Sequence, residues 1–354
     1  MLRLWIWPLL AFAVMLIPGA APAKPAPARI VAVGDIHGDY DAWIAIARAA
    51  ALVDAKGRWV GGSTVLVQMG DVADRGPDSL KIIRHLMKLQ REAGGKGGKV
   101  IVLVGNHEAM NMIGDLRYVH PGEYRAFATR DSRALRDRIY ETNRTAIETA
   151  YRARDRAMKP EAIRDAWLKA TPPGMLEHQA AWRPDGDVGK WVLGNPAVVK
   201  LGDNLFVHGG ISAAYAKFSP EQINRRVADA LKAQDQSPLS IISDPAGPLW
   251  YRGLISRAPG DETTVAPSAA ANAPPLAIEQ EIDLVLEAFH VRRIVVGHTP
   301  SVAGIESSQD GSLWRTDSAI SRAYGGRPAY LEIMGDEVSA HEVPRPASQP
   351  WGTQ

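Results

Sequence analysis

Ten residues in six short blocks carry the donor types that bind divalent cations or phosphate. Gly34-Asp35-Ile36-His37 follows an apolar run at 29–33, Gly70-Asp71-Val72-Ala73-Asp74-Arg75-Gly76 follows 64–69, and Gly105-Asn106-His107-Glu108 follows 100–104. His208 follows the run 204–207, Gly297-His298-Thr299 follows 294–296, and Arg252 stands apart in Leu249-Trp250-Tyr251-Arg252. Carboxylate, imidazole and amide oxygen are ligands for hard and borderline divalent cations. Asp35 and His37 point the same way from a tight turn, because alternate residues of extended chain share a direction. Asp71 has two oxygens and can bridge. The spacing therefore predicts one ion on Asp35, His37 and Asp71, and a second on Asp71, Asn106, His208 and His298. Two such ions, about 3.5–4 Å apart, can share a water and bring its pKa towards neutrality.

The remaining residues suit the other half of a phosphate-ester hydrolysis. His107 follows a metal ligand directly, so its ring can stand beside the leaving group as a general acid, with Asp74 accepting its other N–H. Arg75 and Arg252 offer planar forks to the non-bridging phosphate oxygens, with Asn106 also within reach of the phosphate. Singly, the blocks have plainer readings. Asp35-x-His37 could be turn residues, His298 a satisfied loop histidine, Asp74-Arg75 a local ion pair, and Arg252 a cation stacked on Trp250 or Tyr251. Five other histidines (His85, His120, His178, His290, His341) lack comparable neighbours and read as structural or exposed.

These blocks must be held by strands. Runs 29–33, 64–69 and 99–104 alternate with helical patterns at 39–51 and 77–92, where apolar residues recur at three and four. Such βαβ alternation favours parallel pairing, with ligands at the carboxyl ends of the strands. Residues 115–190 read as a helical insertion, flanking or covering the site or forming an ordinary helical layer. Strands are expected again at 197–201 and 205–207 around a Gly202-Asp203-Asn204 turn, and at 293–296. Helices are expected at 221–232 and 278–289, with a loop or lobe at 257–275. Runs 312–317 and 329–333 look like late strands of a second sheet, and 344–354 like a frayed tail.

Composition narrows the class. The chain has 354 residues, 46% hydrophobic and 23% charged, with a formal charge of +2. That balance gives no reason to expect nucleic acid or an anionic membrane as partner. Zero cysteines exclude disulfides, thiolate ligands and a cysteine-phosphate route, so any phosphate removal would need a metal-activated water. Arg3, the apolar stretch 4–17 and Ala21-Pro22-Ala23 read as a secretory signal over 1–23, with 24–28 as the mature start. The apolar stretch is short of the roughly 20 residues a spanning helix needs. The expectation is an exported, periplasmic protein with no stable membrane insertion after cleavage, a catalytic domain over 29–335 and a tail over 336–354.

Together the blocks resemble the calcineurin-like metallophosphoesterases, and within them the phosphoprotein phosphatase branch. Its three motifs, Gly-Asp-x-His-Gly, Gly-Asp-x-x-Asp-Arg-Gly and Gly-Asn-His-Glu, stand at 34–38, 70–76 and 105–108. The run from Asn106 through Met110-Asn111 into Gly114-Asp115-Leu116-Arg117-Tyr118, and the run 205–212, are similar to the Shewanella-like protein phosphatases. This resemblance implies an α/β (α+β) fold with a central β-sandwich of two mixed sheets flanked by helices. It also implies a dimetal centre of manganese, iron or zinc type. Its metal ligands fall on Asp35, His37, Asp71, Asn106, His208 and His298, its acid pair on His107 and Asp74, and its phosphate arginines on Arg75 and Arg252. The expected substrate is a phosphorylated protein or a small phosphomonoester. A diadenosine tetraphosphate-type pyrophosphatase and a non-catalytic phosphoprotein-binding module are the alternatives, and oligomeric state stays open.

Overall fold

A computed structural model describes residues 29–257 and 276–347. The expected leader at 1–23, the segment 24–28, most of the 257–275 lobe and the last tail residues lie outside the described residues. Two five-stranded mixed sheets pack face to face. The first contains β1 (Ile30–Val33), β2 (Val65–Gln68), β3 (Lys99–Val102), β9 (Ala329–Met334) and β10 (Glu337–Glu342), in the order β10-β9-β1-β2-β3. The second contains β4 (Val198–Leu201), β5 (Asn204–Val207), β6 (Arg293–Val296), β7 (Glu306–Ser308) and β8 (Leu313–Arg315), in the order β4-β5-β6-β8-β7. β1, β2 and β3 run parallel, as do β5, β6 and β8.

Alternation along each strand explains the layers. Ile30, Ala32, Val65, Val67, Ile101, Phe206, Val295, Leu331 and Ile333 share one buried cluster between the sheets. Their sequence neighbours Val31, Val33, Leu66, Val100, Val102, Leu205, Val207, Ile294 and Val296 belong to a second cluster with the helices. Strands covered on both faces read as continuous apolar runs, as these do. Helix α1 (Tyr40–Ala49) is capped by Asp39, which accepts from the Ala42 N–H, and buries Trp43 and Ile46. Helix α2 (Ser79–Gly94) buries Leu80, Ile83, Leu86 and Leu89. Helix α3 (Asn106–Met112) is buried throughout.

The insertion divides in two. Helices α4 (Pro121–Phe127), α7 (Met175–Trp182) and α8 (Asp187–Leu193) form a layer against α2, α3 and α9 (Pro220–Ala233). Helices α5 (Ser132–Arg152) and α6 (Pro160–Ala170) pair with each other, with Tyr140 and Trp167 in ring contact at 5.3 Å. They bury only Ser132, Tyr140 and Ile163. Helix α10 (Ile278–Phe289) ends on His290 in a left-handed cap, φ 49°.

The strand at 329–334 departs from expectation. It joins the first sheet, antiparallel to β1, where Leu331 and Ile333 face the inter-sheet core. Local alternation reports a buried face but not which sheet owns it. β7 and β10 are edge strands of mostly exposed polar residues, so no apolar period announces them. β10 carries the first sheet past the predicted domain limit at 335, and Arg345 beyond it reaches back to Asp39 and the Ile320 and Gly326 carbonyls. No described helix is long and apolar enough to cross a membrane.

Candidate metal centre

The site lies where the parallel strands of both sheets end. β1 leads to Asp35 and His37, β2 to Asp71, β3 to Asn106, β5 to His208 and β6 to His298. Backbone hydrogen bonds join these ends: the Ile36 and His37 N–H groups donate to Asp71 O, and the Gly297 N–H donates to His208 O. Five site residues sit in left-handed backbone, His37 (φ 45°), Asp71 (52°), Asp74 (69°), Arg75 (64°) and His298 (63°). Non-glycine residues adopt this region rarely, and it concentrates at functional sites. Gly105 is required for closeness, since a Cβ there would come within 2.2 Å of Asp71 Oδ1.

Asp71 is the hub. Its Oδ1 lies 3.3 Å from His208 Nε2, and its Oδ2 lies 3.7 Å from His37 Nε2 and 3.9 Å from His107 Nε2. His37 Nδ1 bonds to Ala73 O at 2.9 Å and His208 Nδ1 to Met69 O at 2.8 Å. A carbonyl partner makes Nδ1 the donor, which leaves each Nε2 lone pair turned inward. Asn106 Oδ1 lies 3.0 Å from His208 Nε2. His298 Nε2 is buried with no partner among the described residues, and its ring lies 5.0 Å from that of His208.

Two donor groups result, His37–Asp71–His107 and Asp71–His208–His298, each with its donor atoms within 4.8 Å of one another. Asp71 belongs to both, as a bridging ligand must. Asp35 joins neither group directly; its carboxylate accepts the His298 N–H at 3.1 and 3.0 Å. Burial, then the Asp317 and Asp71 carboxylates, push Asp35 well above the usual carboxylate range. Burial also drives Asp71 upward, but His208 and His107 overcome it and hold that carboxyl well below the ordinary value. Burial and then His107 lower His37 to about 4, and burial and then His208 and Arg252 hold His298 far below its usual value. Crowded buried carboxylates beside imidazoles whose Nε2 atoms turn inward are a donor set that fits divalent cations, which would displace the proton that Asp71 favours on His208 against burial.

His107 is set apart from the other histidines. Its Nδ1 bonds to Asp74 Oδ2 at 2.6 Å, and its backbone N–H donates to Asp71 Oδ1 at 3.0 Å. Burial opposes protonation of His107, yet Asp71 and the Asp74 hydrogen bond raise its pKa. The plain ion-pair reading of Asp74-Arg75 therefore gives way, because Asp74 serves His107. Arg75 lies over the Tyr118 ring at 3.9 Å, with Tyr324 at 5.6 Å. Arg252 Nη2 reaches the His298 carbonyl at 3.4 Å.

Four residues escaped the sequence reading as contributors. Glu108 accepts four backbone N–H groups, from Asp71, Val72, Ala73 and Gly105. Its place closing the Gly-Asn-His-Glu block was the available signal. Asp317, buried after β8, faces Asp35 and is pushed by burial to about 7. Tyr118 and Tyr324 frame Arg75; Tyr118 stands in the run that carries the resemblance, without a role there, and nothing local marks Tyr324 or Asp317.

The fold and site define a phosphoester hydrolase, and comparison agrees: the calcineurin-like phosphoesterase model matches residues 28–302, and the chain belongs to that family. Among its relatives, Shewanella-like protein phosphatase 2 of Arabidopsis thaliana is 32% identical over 88% of this chain and 76% of that protein. Shewanella-like protein phosphatase 1 of Plasmodium berghei is 28% identical over 88% and 73%. The crystal structure of a cold-active protein-tyrosine phosphatase from a psychrophilic Shewanella superposes with a TM-score of 0.62 at 23% identity, covering 89% and 80%. The chain is thus a phosphatase of the metallophosphoesterase type, similar to the Shewanella-like protein phosphatases.

Proposed function

We propose that this chain hydrolyses phosphomonoesters, with phosphorylated protein side chains as its substrate class and manganese as its working metal, iron or zinc being able to replace it. The carrying observation is the double membership of Asp71 in two donor groups, beside a histidine tied to Asp74. Asp35, His37 and Asp71 would hold one cation and Asp71, Asn106, His208 and His298 the other. Bound there, the pair supplies Lewis-acid activation of water and phosphate.

The chain's own residues do the rest. Arg75, beside Tyr118, and Arg252, beside His298, bind the non-bridging oxygens and orient the ester. Tyr118 limits the freedom of Arg75, and Asn106 adds an amide contact to the phosphate. His107 Nε2 gives its proton to the departing oxygen, and Asp74 stabilises the imidazolium beforehand. The names of the plant and parasite relatives support a phosphoprotein substrate.

The test is a substrate panel on metal-reconstituted protein: phosphoserine, phosphothreonine and phosphotyrosine peptides, para-nitrophenyl phosphate and a dinucleotide polyphosphate. Phosphopeptide turnover that chelation abolishes is expected. Preference for the dinucleotide would overturn the substrate class, and tight peptide binding without turnover would overturn catalysis. We infer from the export signal read at 1–23 that this activity is periplasmic. Sequencing of secreted protein beginning at Lys24 would bear that out; a cytoplasmic chain with Met1 intact would not.

A further inference from the structure

We propose that Asn111 is a positioning residue for the leaving-group acid, holding the Asp74 carboxylate in the one orientation that serves His107. This rests on the reading of His107 as the acid. Asn111 lies one helical turn after His107 on α3 and is 3% exposed. Its Nδ2 donates to Asp74 Oδ1 at 2.9 Å and to the His107 carbonyl at 2.9 Å. Both donors of the amide thus go to the acid pair.

The other end of the amide reveals what this placement costs. Asn111 Oδ1 is buried and has no hydrogen-bond partner among the described residues. An unpaired buried acceptor costs about 1–3 kcal/mol, which an apolar side chain of similar shape avoids. Leucine would remove that cost but would strip the buried Asp74 Oδ1 of the donor it has here. Asparagine is explained by what its Nδ2 holds.

What it holds needs holding. Asp74 stands in left-handed backbone at φ 69°, and its carboxylate is fully buried. The two oxygens of a carboxylate are chemically equivalent, so a single bond to His107 would leave its plane poorly fixed. With Oδ1 pinned by Asn111, Oδ2 faces His107 Nδ1 at 2.6 Å. The ring is then oriented from two directions, through Asp74 and through the helix carbonyl that Asn111 also grips. Its Nε2 is left directed towards the Asp71 side of the centre, 3.9 Å from Oδ2.

The experiment is a double-mutant cycle on the manganese-loaded full chain, using wild type, His107→Ala, Asn111→Leu and the double variant. Each is assayed on aryl phosphates from good leaving groups (2,4-dinitrophenyl) to poor ones (phenyl). General-acid assistance contributes about 10²–10⁴-fold. For Asn111→Leu we expect a loss of about tenfold or more on phenyl phosphate and little on the dinitrophenyl ester. In the His107→Ala background the second substitution should cost nothing further. Equal loss on every ester, or the same loss in both backgrounds, overturns the positioning role. If His107→Ala itself shows no leaving-group dependence, the acid reading fails first, and that failure is separately visible. A second readout avoids turnover. The His107 Nδ1 proton of ¹⁵N-histidine-labelled, metal-free protein should give a far-downfield signal, absent in Asp74→Asn and displaced in Asn111→Leu or Asn111→Ala. An unmoved signal overturns the inference.

Discussion

Replacing Glu108 with glutamine should loosen the centre without touching a proposed ligand. Glu108 Oε1 accepts from Val72 N at 2.9 Å and Ala73 N at 3.1 Å, while Oε2 accepts from Asp71 N and Gly105 N, both at 2.9 Å. Glutamine keeps one oxygen and turns an NH₂ towards the other two donors. Two buried N–H groups then lose their acceptor, at about 1–3 kcal/mol each, giving roughly 2–6 kcal/mol. Burial, then Asp71, hold Glu108 above the ordinary carboxylate value, so removing its charge offsets part of the loss. The expected outcome is near the lower end, about 2 kcal/mol, read by urea unfolding of metal-free protein. The same change frees the 71–73 loop, on which Asp71 sits at φ 52°. Partners that orient a metal ligand are typically worth about 10–100-fold in affinity. Titration of Glu108→Gln with Mn²⁺ should show a loss of that size. An unchanged unfolding midpoint together with manganese affinity within about threefold of wild type would refute the reasoning.

Other substitutions probe separate terms. His178 is packed among Tyr124, Phe127 and Trp182, both its nitrogens lack partners among the described residues, and burial lowers its pKa to about 3. The native ring stays neutral where the unfolded one takes a proton. Stability is thus full above pH 6.5 and falls by about 1.4 kcal/mol per pH unit below it, towards about 3. His178→Phe should flatten that acid limb in urea melts, and an unaltered slope would count against it. Asp317, at about 7 against 3.8 in the free chain, keeps a proton the unfolded state has released. Metal-free protein should therefore lose stability from about pH 4 to about 7, by on the order of 4 kcal/mol. Asp317→Asn should lessen the decline, the remainder belonging to Asp35, which is raised as well; an undiminished decline would show another group responsible. Tyr118→Leu strips the ring from under Arg75, a contact worth about 0.5–2 kcal/mol. We expect weaker inhibition by inorganic phosphate and a raised KM, with kcat less affected; an unchanged KM would contradict that role.

The sequence disclosed most of the chemistry because chemistry here is local. Asp71, Asp74 and Arg75 stand in one turn, and Asn106, His107 and Glu108 in another, each directly after a buried strand. The central strands were equally legible, since burial on both faces leaves uninterrupted apolar runs. What stayed hidden depends on long-range approach. Tyr324 comes to Arg75 across the chain, and Asp317, after β8 of the second sheet, meets Asp35, after β1 of the first. The ownership of Ala329–Met334 was equally invisible, because two stacked sheets ask the same alternation of their strands. Polar edges such as Glu337–Glu342 carry no apolar period at all.

His37, Asp71 and Asn106 follow strands of one layer, whereas His208 and His298 follow strands of the other. Between the layers lie Phe206, Val295, Met69 and Leu331, contacts that are strong but undirected. Cations gripped from both sides would act as a rivet through the seam, fastening with directional bonds what oily surfaces merely press together. Loading the protein with metal should then do more than switch on turnover: it should raise the melting temperature with ion concentration and shield the strand-end loops from proteases.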